Sequence, residues 1–113
     1  MKKALLIISI LLSQAAAAEL SSARQDELLY FLRQDCGSCH GMTLKGGLGP
    51  ALLPETLAGK PRDYLVTSIM DGRKDTAMPG WKGMITRTEA VWLTEQLQAG
   101  SIERTEMAEG KTQ

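Results

Sequence analysis

Cys36-Gly37-Ser38-Cys39-His40 is the pattern C-x-x-C-H, and it organises everything around it in this 113-residue chain. Two thiols three residues apart, with an imidazole directly after them, are what covalent attachment of haem c requires. The thiols add to the vinyl groups of the macrocycle, and the adjacent imidazole is placed to bind the iron from the proximal side. Other uses of the cysteines suit the surroundings less well. A thioredoxin-like C-x-x-C asks for a βαβ pattern nearby, and none is visible. A structural zinc site needs four ligands, and two cysteines with one histidine fall short. A disulfide across two intervening residues closes a small loop and stabilises little.

Toward the N-terminus, Lys2 and Lys3 form a basic region, Ala4 to Leu12 (ALLIISILL) an apolar one, and Ala16-Ala17-Ala18 an A-x-A cleavage site. This layout is that of a secretory leader. Cleavage after Ala18 is expected over retention as an anchor, because the apolar stretch is shorter than the ~20 residues of a spanning helix. Three parts follow: a signal peptide over 1–18, one domain over 19–102 and a polar, frayed tail over 103–113. The compartment expected is the periplasm, with no membrane span after cleavage. Losing Lys2 and Lys3 turns a balance of 13 basic and 13 acidic side chains into an excess of two acids. No pull toward nucleic acid follows from that. The basic residues gather between Gly41 and Thr88, where Lys45, Lys60, Arg73, Lys74 and Lys82 are candidates for a docking rim, beside the reading of ordinary solvated charge. Five aromatic residues are few for a domain of this size, and a buried macrocycle would supply the missing apolar volume.

The segments around the motif read as helices. Ser22-Ala23-Arg24-Gln25 fits a capping box, and Leu28, Leu29 and Leu32 make an apolar stripe that runs into Cys36. Gly41 to Lys60 holds five glycines and two prolines and reads as loop, yet it carries Leu44, Leu48, Leu52, Leu53 and Leu57. A second helix is expected from Pro61, burying Tyr64, Leu65, Ile69 and Met70 and stopping at Gly72. A third opens at the capping box Thr86-Arg87-Thr88-Glu89, buries Val91, Trp92, Leu93 and Leu97, and ends at Gly100. No convincing strand is visible.

His40 is the only histidine, so an iron held here has one imidazole available within the chain. The sixth ligand is then a methionine, an amine or water. Of six methionines, Met1 leaves with the leader, Met42 is too close to His40, Met70 reads as core and Met107 lies in the tail. Met78 and Met84 remain. Met78 is favoured, because Pro79 stiffens the backbone beside it and biases it toward an extended shape. A thioether opposite an imidazole raises the reduction potential and leaves no open position for a substrate, which points to an electron carrier rather than an enzyme. The Pro50 carbonyl is the best local acceptor for the second N–H of His40.

The order of helix, Cys36–His40, Gly49-Pro50, Met78-Pro79 and a helix with Trp92-Leu93 resembles class I cytochrome c. The likeness spans Ser22 to Gly100. It implies an all-α fold of three to four helices around one covalently bound haem. Cys36 and Cys39 would hold the haem, His40 and Met78 would be the axial iron ligands, and Pro50 would stand behind His40. The first and last helices should cross, with Leu28 and Leu32 meeting Trp92 and Leu93. Leu28 and Leu32 depart from the small residue and aromatic usual there, and Phe31 is expected to compensate. The run from Cys36 to Pro54, with Met78-Pro79-Gly80-Trp81, is similar to the small periplasmic cytochromes encoded beside cytochrome cd1 nitrite reductase in denitrification gene clusters. That resemblance implies electron delivery to the reductase, or a redox or binding role in maturing its haem d1; a monomer is expected.

Overall fold

The computed structural model describes residues 19–102. The leader expected over 1–18 and the tail expected over 103–113 lie outside the described residues. Within them the fold is all-α. Helix α1 (Ser22–Phe31) continues through a π-helical turn (Leu32–Cys36) into the single turn α2 (Gly37–His40), so one unbroken helix delivers the C-x-x-C-H motif. A short α3 (Pro54–Leu57), then α4 (Arg62–Asp71) and α5 (Arg87–Ala99) complete the order. Among the described residues there is no strand, and no helix is long and apolar enough to cross a membrane.

The helix ends follow local chemistry, with one shift of register. Ser21, not Ser22, caps α1: its hydroxyl accepts from the Arg24 N–H at 3.2 Å. Gln25 reaches back to the Leu20 carbonyl instead of closing a capping box. At α5 the expected box is complete, with Thr86 and Glu89 each accepting the other's backbone N–H. Gly72 and Gly100 end α4 and α5 with φ of +72° and +66°, a region where a side chain is strained.

The core is built by α1, α4 and α5, with Leu28, Leu32, Val66, Ala90 and Leu93 almost fully sealed from solvent. Each such large aliphatic side chain contributes roughly 1.5–3 kcal/mol on burial. Leu44 and Leu57 reach the same core from the glycine-rich loop, whereas Leu48 stays 94% exposed. One expectation is corrected here. On α4 it is Val66 that is sealed, while Tyr64 faces solvent. Phe31 is partly buried and packs against the core, and its ring meets Trp81 edge-to-face, with centroids 5.1 Å apart. Helices α1 and α5 are also tied by Arg24 Nε to Glu89 Oε1 at 2.6 Å. Glu89 is nearly buried, and this hydrogen-bonded guanidinium is the main cause holding its carboxyl below the usual range.

Candidate haem site

A helix end normally leaves its last carbonyls unsatisfied. Here the chain after His40 folds straight back to satisfy them. The Gly46 N–H donates to the His40 carbonyl and the Gly49 N–H to the Cys39 carbonyl, both at 2.8 Å. The reversal begins at Gly41, whose φ of +92° and approach to Gly46 leave no room for a side chain; a Cβ there would sit 2.6 Å from the Gly46 carbonyl oxygen. Leu44 takes a φ of +58°, uncommon for a branched residue. Its buried side chain and its bonds to Gly41 and Leu52 hold it there.

This fold-back brings Pro50 to His40. His40 Nδ1 lies 2.7 Å from the Pro50 carbonyl oxygen. A carbonyl only accepts, so Nδ1 carries the proton and Nε2 presents a lone pair. Gly49 lies flat against the ring: a Cβ on it would be 2.7 Å from both Cε1 and Nδ1. The imidazole is thus fixed in tautomer and in position.

Cys36 and Cys39 are three residues apart on the same helical run, hence on one face, and are not joined to each other. Burial, and then the charge of Asp35, push the Cys36 thiol up to about 11. Two thiols on one face, followed by an imidazole with a free Nε2, form a donor set that fits haem c. Among the described residues no group of three or more His, Cys, Asp or Glu gathers to hold a bare metal ion.

Met78 sits half-buried on a separate loop laid against the end of α4. The Arg73 N–H donates to the Met78 carbonyl at 3.2 Å, and the Met78 N–H to the Thr76 hydroxyl at 3.3 Å. Met84, by contrast, is 65% exposed on the turn after Trp81. Of the basic rim, Lys82 is 3.5 Å from Asp71, an exposed pair. The π-helical turn that sets the angle of the motif left no mark in the periodicity of the sequence. The steric role of Gly49 was open to suspicion only from its place before Pro50.

Fold and motif together define a class I c-type cytochrome with a single covalently attached haem c. A family model described as "Cytochrome C oxidase, cbb3-type, subunit III" matches residues 23–95. "Cytochrome c55X" of Pseudomonas aeruginosa is 53% identical over 79 residues, covering 70% of this chain and 66% of that relative. The solved "c-type cytochrome NirC" superposes with a TM-score of 0.72 at 51% identity, covering 74% of this chain and 98% of the other. A solved "Dihydro-heme d1 dehydrogenase NirN in complex with DHE" matches with a TM-score of 0.57 at 36% identity, covering 61% of this chain and 15% of that one. The chain belongs to this family of c-type cytochromes and is homologous to the NirC-type cytochromes of denitrification clusters. It is a monohaem electron carrier rather than a catalyst.

Proposed function

We propose that this protein carries single electrons in the periplasm, to or within the cytochrome cd1 nitrite reductase system. In this reading Met1 to Ala18 directs export and is removed, and the mature monomer is the domain over 19–102 with a polar tail. Cys36 and Cys39 tether the haem through thioether bonds. His40 binds iron through Nε2 while Pro50 holds its Nδ1 proton, and Met78 supplies the opposite ligand. Bound haem provides the one-electron couple. With both axial positions taken by the chain, little rearrangement accompanies the change of charge.

The observation that carries this reading is the 2.7 Å contact of His40 Nδ1 with the Pro50 carbonyl, with Gly49 pressed on the ring. It orients one imidazole nitrogen outward as a metal ligand beside two thiols on one helical face. The test is a redox titration of the purified exported protein followed by stopped-flow mixing with cytochrome cd1. One haem by mass, a ferric band near the red edge from iron–sulfur bonding, and oxidation on mixing are expected. A five-coordinate ferric spectrum, or no reaction with the reductase, contradicts it.

The likeness to part of a dihydro-haem d1 dehydrogenase favours a second reading, in which the protein accepts electrons during haem d1 maturation. A dehydrogenation releases two electrons and two protons, whereas a monohaem carrier accepts one electron per encounter. Two ferric molecules should therefore be reduced per product formed by such an enzyme.

A further inference from the structure

The loop carrying Met78 is fastened to α4 along two legs of unequal firmness. The returning leg is locked. Trp81 and Lys82 donate their N–H groups to the Ile69 and Met70 carbonyls at 2.9 and 3.2 Å. A Cβ on Gly80 would fall 2.7 Å from the Met70 carbonyl oxygen, so the two backbones touch. The outgoing leg, Arg73 to Ala77, is held otherwise. A hollow of about 260 Å³, lined by Tyr64, Ser68, Arg73 and Thr76 among others, lies between it and the outer face of α4.

The bonds within this leg run through Arg73 and Thr76. The Arg73 N–H donates to the Met78 carbonyl, and the Thr76 hydroxyl donates to the Arg73 carbonyl at 2.7 Å while accepting from the Met78 N–H. At the tip, Asp75 holds a φ of +61°, a left-handed turn conformation that Asp adopts more readily than most side chains. Arg73 and Tyr64 both line this hollow. The Arg73 guanidinium lies 5.3 Å from the centroid of the Tyr64 ring and donates to the Tyr64 hydroxyl. The guanidinium thus hydrogen-bonds the hydroxyl while lying within cation–π range of the ring, a planar fork that a lysine does not reproduce.

We propose that Tyr64 and Arg73 form a clasp that keeps the Met78 loop closed. They are positioning residues, and opening the clasp releases Met78 and admits small neutral ligands to the position it held. The proposal rests on Met78 as the axial ligand. The exchange it implies breaks one iron–sulfur bond and forms one iron–nitrogen bond, with no electron moved.

The probe is imidazole, mixed in excess with the ferric holoprotein at neutral pH and followed at the iron–sulfur band. Its binding rate is limited by departure of Met78. Tyr64→Phe removes one hydrogen bond and should raise that rate about three- to tenfold. Arg73→Gln, which also loses the cation–π contact, should raise it further, and Arg73→Lys should not restore the wild-type value. Amide hydrogen exchange at Arg73 and Met78 in the holoprotein should quicken in the same order. A merely structural contribution would lower the melting temperature and leave both readouts unmoved, which would overturn the clasp. Met78→Ala separates the two levels of the argument. If it binds imidazole fast, the wild type slowly and the clasp variants as slowly as wild type, the clasp alone is wrong. If wild type and Met78→Ala bind equally fast, the ligand assignment beneath it falls as well.

Discussion

Replacing Gly49 by alanine tests the geometry behind His40 with one methyl group. The backbone of Gly49 lies outside the left-handed region, so alanine meets no conformational penalty and the obstacle is steric alone. Its Cβ would stand 2.7 Å from Cε1 and Nδ1 of His40, against 3.4 Å for the onset of ordinary contact, so something must move by 0.7 Å. Pro50 is the next residue, and moving the loop carries the acceptor away from the ring. Lengthening the 2.7 Å contact by that amount takes it beyond the ~3.2 Å limit of a good N–H···O bond. The lost hydrogen bond costs about 0.5–1.5 kcal/mol and the residual overpacking about 1–3 kcal/mol. For a domain of this size each kcal/mol lowers Tm by roughly 4–8 °C, so a fall of about 10 °C or more is expected.

The electronic effect has a definite sign. An imidazole donating through Nδ1 is the stronger electron donor to iron and favours the ferric state. Weakening that bond should therefore raise the reduction potential, by something on the order of tens of millivolts, given 59 mV per tenfold change for one electron. Melting followed by circular dichroism and a spectroelectrochemical titration read the two effects independently. Gly83→Ala is the control, because no atom lies within 4 Å of the added Cβ. If Gly49→Ala matches the wild type in both Tm and potential while keeping its haem, the ring is not wedged between Gly49 and Pro50 as described.

Three further outcomes are expected. Arg24→Met removes the partner that holds the Glu89 carboxyl below its ordinary value, so the variant should be less stable than wild type above about pH 5. That difference should shrink as acidification protonates Glu89 in both proteins; urea melts at neutral and acid pH would expose the error if the gap instead widened in acid. Thr86→Ala deletes the hydroxyl half of the α5 capping box and should cost about 1 kcal/mol, in the range 0.5–2, by thermal melting. Cys36→Ala combined with Cys39→Ala removes both tethers and should leave little folded protein, so normal cooperative melting of that haem-free variant would contradict a fold built around its cofactor.

What the sequence determined alone is local. The spacing of Cys36, Cys39 and His40 defines a haem attachment site in any helical context, and Thr86-Glu89, Gly72 and Gly100 mark helix ends because capping acts within one turn. The all-α class and the core roles of Leu28, Leu32, Leu93 and Leu97 follow from clear stripes. Helix α4 is different: Tyr64, Leu65, Val66, Ile69 and Met70 spread apolar character around it, so periodicity could not choose which face turns inward. Packing against α5 chose Val66 and left Tyr64 outside, where Arg73 meets it. The partner of Phe31, the π-helical turn before Cys36 and the contact of Gly49 with the His40 ring were likewise decided by tertiary structure. Each depends on atoms brought together by the path of a loop, and a backbone path is settled by the whole set of contacts that it closes.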